Sequence, residues 1–166
     1  MIGGSKEDFN RIEPLVKLIA APNAYGHFGK IGAGHFTKMV HNGIEYGMME
    51  AIAEGVAVLE QSEFDLPLPE VLRVYNNRSV IESRLVGWLE EALWEDQSLS
   101  GISSKINATG EGEWTIKTAK ELNVSTPVIE DSFKVRQESS ETSNSFRDKA
   151  VSAMRGKFGG HKVNKE

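Results

Sequence analysis

The sequence predicts an all-α domain, and three observations carry that prediction. Apolar residues recur at intervals of three and four, prolines and Ser/Thr caps stand where helices should begin, and no stretch shows the alternation of a half-buried strand. The 166 residues suit one domain with a tail, and 39% hydrophobic residues supply a modest core. No clear internal repeat occurs.

Ser5, with Asp8 three residues on, forms a capping-box pattern ahead of Phe9, Ile12, Leu15, Val16 and Ile19, so a helix is expected through residue 20. Pro14 lies inside it and predicts a kink or a late start. Residues 22–34, "PNAYGHFGKIGAG", read as a loop, and the next helix should run from about His35 to Glu60. "DLPLPEVLRVYNN" offers two prolines for a first turn and then a short helix. "SVIESRLVGWLEEALWED" puts Ile81, Leu85, Trp88, Leu89 and Leu93 on one stripe. A Gly/Ser/Asn-rich connection separates it from "WTIKTAKELN". Thr126 and Pro127 open a further helix, and "SNSFRDKAVSAMR" is the last candidate before a glycine-rich, basic tail.

A net charge of −5 gives no electrostatic reason to expect nucleic acid or an anionic membrane as partner. Without cysteine, disulfides, thiolate chemistry and Cys-based zinc sites are excluded. No apolar run approaches the ~20 residues that span a bilayer, and "MIGGSKEDF" lacks the features of a signal peptide. A cytoplasmic protein that uses no metal is the expectation.

The unusual stretch is "GAGHFTKMVHNGIEYG", residues 32–47. At ~100° per residue, Lys38, His41, Asn42, Glu45 and Tyr46 fall within one arc of ~140°. Val40, Gly43, Ile44 and Gly47 face the other way, and the apolar run that follows predicts burial on most sides. A solvated helix face is the ordinary explanation of such a stripe. That face usually repeats Glu, Lys, Gln and Arg, whereas here five different hydrogen-bonding groups follow glycines that let backbone approach a ligand. A lysine desolvated in a closed pocket can act as general base, a glutamate as acid, and Asn, His and Tyr can bind hydroxyls and oxyanions.

Gly32, Gly34, Lys38 and Asn42, in the pattern GxGxxxKxxxN, resemble the substrate-site signature of the β-hydroxyacid dehydrogenases. The fuller stretch looks like their decarboxylating 6-phosphogluconate dehydrogenase branch. "GEGEWT" (110–115) resembles a family loop, "RGKFGGH" (155–161) resembles its RxxFGxH tail, and "FKVRQESS" (133–140) agrees. The chain length is similar to the short form.

The resemblance implies a mechanism. Lys38 would take the proton of the C3 hydroxyl as hydride leaves for the nicotinamide of NAD or NADP. The resulting β-keto acid would lose CO2 while protonated Lys38 steadies the C3 oxygen, and Glu45 would protonate C1 of the enediol to give ribulose 5-phosphate. His41 and Asn42 would hold hydroxyls and carboxylate, with Asn42 also on the nicotinamide side. Tyr46, Arg136, Thr115, and Arg155 with His161 from a partner subunit's tail would bind phosphate, Arg136 by itself otherwise reading as a surface residue. Glu113 stands where the long form has a phosphate-binding lysine, which removes that contact.

No strand–GxGxxG–helix unit occurs, so the dinucleotide site is expected elsewhere in a longer parent and the chain is expected to be inactive alone. The resemblance divides the chain into residues 1–21, the end of a nucleotide-binding domain with a handover helix; 22–154, the substrate-binding and oligomerising domain; and 155–166, the tail. It implies a homodimer or homotetramer. Two alternatives remain: a 3-hydroxyisobutyrate-like dehydrogenase without a phosphate requirement, and a non-catalytic helical assembly module.

Overall fold

The computed structural model describes residues 1–107 and 110–158. Its described residues form seven α-helices and no strand: α1 Lys6–Ile19, α2 Ala33–Glu60, α3 Leu68–Tyr75, α4 Arg84–Glu95, α5 Glu111–Glu121, α6 Pro127–Glu138 and α7 Phe146–Lys157. Two compact units divide them. Among the described residues the first holds 1–44 and 110–125, the second 45–107 and 126–158, and α2 contributes to both.

In the first unit, Ser5 caps α1 by accepting from the Asp8 amide at 3.0 Å. The helix runs on through Pro14, so the expected late start does not occur. Of the apolar stripe on α1 only Phe9 is buried, against the His27 ring at 5.2 Å. A parallel bridge joins Ile2 to His27. There the backbone crosses the start of α2 so closely that a Cβ on Gly34 would lie 2.7 Å from the Met1 carbonyl oxygen.

Helix α5 packs against the first half of α2 at an equally close point. A Cβ on Gly43 would stand 2.6 Å from Cγ2 of Thr115, a branched side chain whose hydroxyl is bonded to the Met39 carbonyl. Alanine favours helix over glycine by ~1 kcal/mol, but overpacking costs ~1–3 kcal/mol. Gly43→Ala is therefore expected to destabilise the domain by up to ~2 kcal/mol net, and Thr115→Ser in the same chain to recover part of the loss. Chemical denaturation of the three chains checks this, and an unchanged midpoint for Gly43→Ala would show that the helices are not in contact there.

The second unit holds the main apolar core. Helix α3 packs on α4, and α4 on α7. Leu68 and Leu72, then Leu85, Val86, Leu89, Ala92 and Leu93, then Ala150, Val151, Ala153 and Met154 meet Met49, Ala53 and Val56 of α2. Burial of each larger side chain contributes ~1.5–3 kcal/mol. Helix α7 reads as polar, yet every residue from Asp148 to Arg155 is buried.

Three expectations change here. Helix α4 begins only at Arg84, because the Ser83 hydroxyl accepts from the Val86 amide and ends the preceding turn, so Ile81 lies outside the stripe and is exposed. Helix α2 is not buried on most sides: Tyr46, Met49, Ala53 and Val56 form its buried stripe, while Ile44, Met48 and Val58 are exposed. "GEGEWT" is the first turn of α5 and not a loop, with Gly110 at φ 89° as its cap.

Candidate functional site

The first half of α2 brings three predicted residues together. The Lys38 ammonium donates to Asn42 Oδ1 and lies 3.3 Å from His41 Nδ1, itself 3.2 Å from Asn42 Oδ1. Positions i, i+3 and i+4 share a helix face, which is why the sequence spacing suffices to build the triangle. Lys38 and His41 are exposed and Asn42 half-buried. The closed, desolvating pocket expected around Lys38 is therefore not formed by the chain's own described residues.

Thr115 is buried, and its hydroxyl donates to the Met39 carbonyl at 2.8 Å, with the Glu111 carbonyl at 3.1 Å. Its one proton is thus committed to holding α5 on α2, unlike the phosphate-binding hydroxyl expected of it. Glu113 is exposed in the first turn of α5, where a carboxylate complements the helix dipole.

In the second unit, Arg136 is not the surface residue its neighbours suggest but the largest fully buried side chain, 1% exposed. Its guanidinium lies 3.4 Å from the centre of the Tyr46 ring, and Nη2 reaches Met49 Sδ at 3.5 Å. Nε and Nη1 have no hydrogen-bond partner, nor does the Tyr46 hydroxyl. The end of α6 is fixed by Ser139, whose hydroxyl donates to the Arg136 carbonyl at 2.7 Å and accepts from the Ile106 amide at 2.9 Å. Burial lowers the Arg136 pKa to about 10, and the like charge of Arg155 adds to that while Tyr46 and Glu50 oppose it.

Arg155, expected at the head of the tail, instead lies in the last turn of α7, buried within its own chain. Glu45 is half-buried on α2. His161 lies outside the described residues. Among the described residues no group of three or more His, Asp or Glu side chains is placed to hold a metal ion, and no helix is long and apolar enough to cross a membrane. The described residues also form no strand-to-helix cradle for a dinucleotide.

Sequence reasoning missed Glu50, one turn beyond Tyr46. It is buried, and neither carboxylate oxygen has a hydrogen bond. The nearest cation, Arg147, has Nε 3.5 Å from Glu50 Oε1 but donates that N–H to Asp148 at 2.8 Å. Burial raises the Glu50 pKa from 4.5 to about 7, against the lowering effects of Arg147 and Arg136. A carboxylate directly after Met48 and Met49 in the apolar run "MMEAIAEGVAVL", four residues ahead of the exposed Glu54, was the available signal.

The sign of the resulting pH dependence follows. Below the ordinary 4.5 both folded and unfolded chains are protonated, and the folded form incurs no penalty. As pH rises toward about 7 the unfolded chain gives up a proton that the folded chain keeps, so stability falls by on the order of 3 kcal/mol and then levels off. Glu50→Gln is expected to flatten that fall, measured as unfolding free energy against pH.

Comparison with known proteins gives a consistent outcome. A family model described as "6-phosphogluconate dehydrogenase, C-terminal domain" matches residues 34–166. Bacillus subtilis YqeC is 46% identical over 166 residues, all of this chain and 56% of the relative. The NAD(+)-dependent, decarboxylating 6-phosphogluconate dehydrogenase of Haloferax volcanii is 35% identical over 165 residues, 98% of this chain and 55% of the relative. The decarboxylating 6-phosphogluconate dehydrogenase of Lactococcus lactis is 32% identical over 169 aligned positions, 93% of this chain and 34% of the relative. The chain thus spans little more than half the length of the first two of these curated relatives.

Proposed function

The chain belongs to the 6-phosphogluconate dehydrogenase C-terminal domain family, and from that premise we propose that it is the substrate-binding and oligomer-forming domain of an oxidoreductase that converts 6-phosphogluconate to ribulose 5-phosphate and CO2. The observation that supports this best is the buried Arg136, stacked on Tyr46 with two N–H groups unspent. A buried cation with open donors suits an oxyanion, and phosphate is the oxyanion of this substrate.

NAD or NADP, when bound to the whole protein, supplies the hydride acceptor; this chain's residues handle protons and hold the substrate. Lys38 accepts the C3 hydroxyl proton and then stabilises charge on that oxygen, once the substrate and what covers it have displaced water. His41 and Asn42 orient the hydroxyls and carboxylate, Asn42 being the residue that would also help hold the nicotinamide, and Glu45 returns a proton to C1 of the enediol. Arg136, Tyr46 and Arg155 take the phosphate, joined by His161 from a second copy in a homodimer or homotetramer. Thr115 and residues 1–21 serve the architecture, the latter as the end of the nucleotide-binding domain.

Calorimetric titration of the chain with 6-phosphogluconate, with gluconate as the phosphate-free control, tests the reading. Binding of the phosphorylated acid that is lost in Arg136→Gln is expected. Equal binding of gluconate would overturn it in favour of a phosphate-independent hydroxyacid.

A further inference from the structure

Three buried side chains of the second unit share one defect. Arg136 has two unpaired donors, the Tyr46 hydroxyl is unpaired, and Glu50 has two unpaired acceptors. Tyr46 and Glu50 are one turn apart on α2, and Met49 between them touches Arg136. Native interiors rarely leave so many polar atoms unmet in one place. The mismatch has a sense: Arg136 lacks an acceptor and Glu50 lacks a donor, and the two are not bonded to each other.

An oxyanion would satisfy Arg136 but offset the positive charge that acts on Glu50. An ionised carboxylate would repel it, whereas a protonated one is neutral and gains a donor. The groups acting on Glu50 are Arg147 and Asp148 of α7, Arg136 of α6 and Glu54 one turn further along α2. Arg147 is held by Asp148, with Nη2 2.7 Å from Asp148 Oδ1, so it is not free to neutralise Glu50 outright.

We propose that Glu50 takes up a proton when an oxyanion seats at Arg136, so that anion binding by this domain is linked to proton uptake. The inference rests on the phosphate reading of Arg136. Burial already holds the Glu50 carboxyl near neutrality, so the link operates in the ordinary working range.

Sulfate is the suitable probe, because its charge does not change near neutral pH. The whole 166-residue chain would be titrated with sulfate at about pH 6 and about pH 8.5, in buffers of different ionisation enthalpy, so that proton uptake is read directly. The expected result is affinity about tenfold weaker at the higher pH, with net proton uptake there. In Glu50→Gln the affinity should be pH-independent and the uptake absent, while Arg136→Gln should abolish binding. Sulfate binding that needs Arg136 but takes up no proton, or uptake that persists in Glu50→Gln, would overturn the proton link and leave the anion site standing. Sulfate binding that is absent or indifferent to Arg136 would overturn both, and a bridging water would then be what fills the gap.

Discussion

Arg136→Met is expected to leave the domain at least as stable as before, by ~1–3 kcal/mol at about pH 6, while lowering affinity for the phosphorylated substrate by ~10²-fold or more. The two effects have separate causes. The guanidinium is fully buried, with Nε and Nη1 unpaired. Each buried unpaired polar group costs ~1–3 kcal/mol, whereas the stack on Tyr46 returns ~0.5–2 kcal/mol. Methionine fills similar volume without charge. It also sits naturally against Met49, and near pH 6 Glu50 retains enough of its proton to tolerate losing one of its two cations. Binding is lost because each charge-assisted hydrogen bond to the phosphate is worth ~1.5–3 kcal/mol, and two are removed. Denaturation curves and calorimetry on one preparation read both. A variant that unfolds more easily yet binds the phosphorylated acid normally would make Arg136 a structural residue and nothing more.

That contrast shows what the sequence could and could not reveal. Local rules fixed the elements whose determinants are local: Ser5 capping α1, Pro127 opening α6, and the i, i+3, i+4 triangle of Lys38, His41 and Asn42. Arg136 failed the same treatment because its chain neighbours Lys134, Gln137 and Glu138 are exposed polar residues. Only Tyr46, ninety positions earlier in the chain, makes it a buried group. Thr115 illustrates the same limit: the motif marked it as important, but its hydroxyl turned out to be committed to Met39, seventy-six residues away. Helix α7 was legible as a helix but not as a buried one, because Asp148, Lys149 and Arg155 interrupt its apolar pattern. It is buried nonetheless, all round from Asp148 to Arg155, the small Ala150, Ser152 and Ala153 among them.

Lys38→Met in the whole protein is expected to lower kcat by ~10²–10⁴, the usual contribution of a positioned general base, with much less effect on binding of the phosphorylated acid. The separation follows from what each group holds. On the proposed reading the phosphate is held by Arg136 and Tyr46, whereas Lys38 is bonded to Asn42 and lies beside His41. Lys38 itself is exposed and anchored by Asn42 and His41, so its loss disturbs no core and thermal stability should be unchanged. Lys38→Arg should not rescue the rate, because a guanidinium keeps its charge and donors but cannot surrender a proton at working pH. That comparison separates proton transfer from electrostatic holding. If arginine restored most of the rate, the positive charge alone would be what the reaction needs, and the base would have to be sought among the neighbours that Lys38 now touches, His41 first.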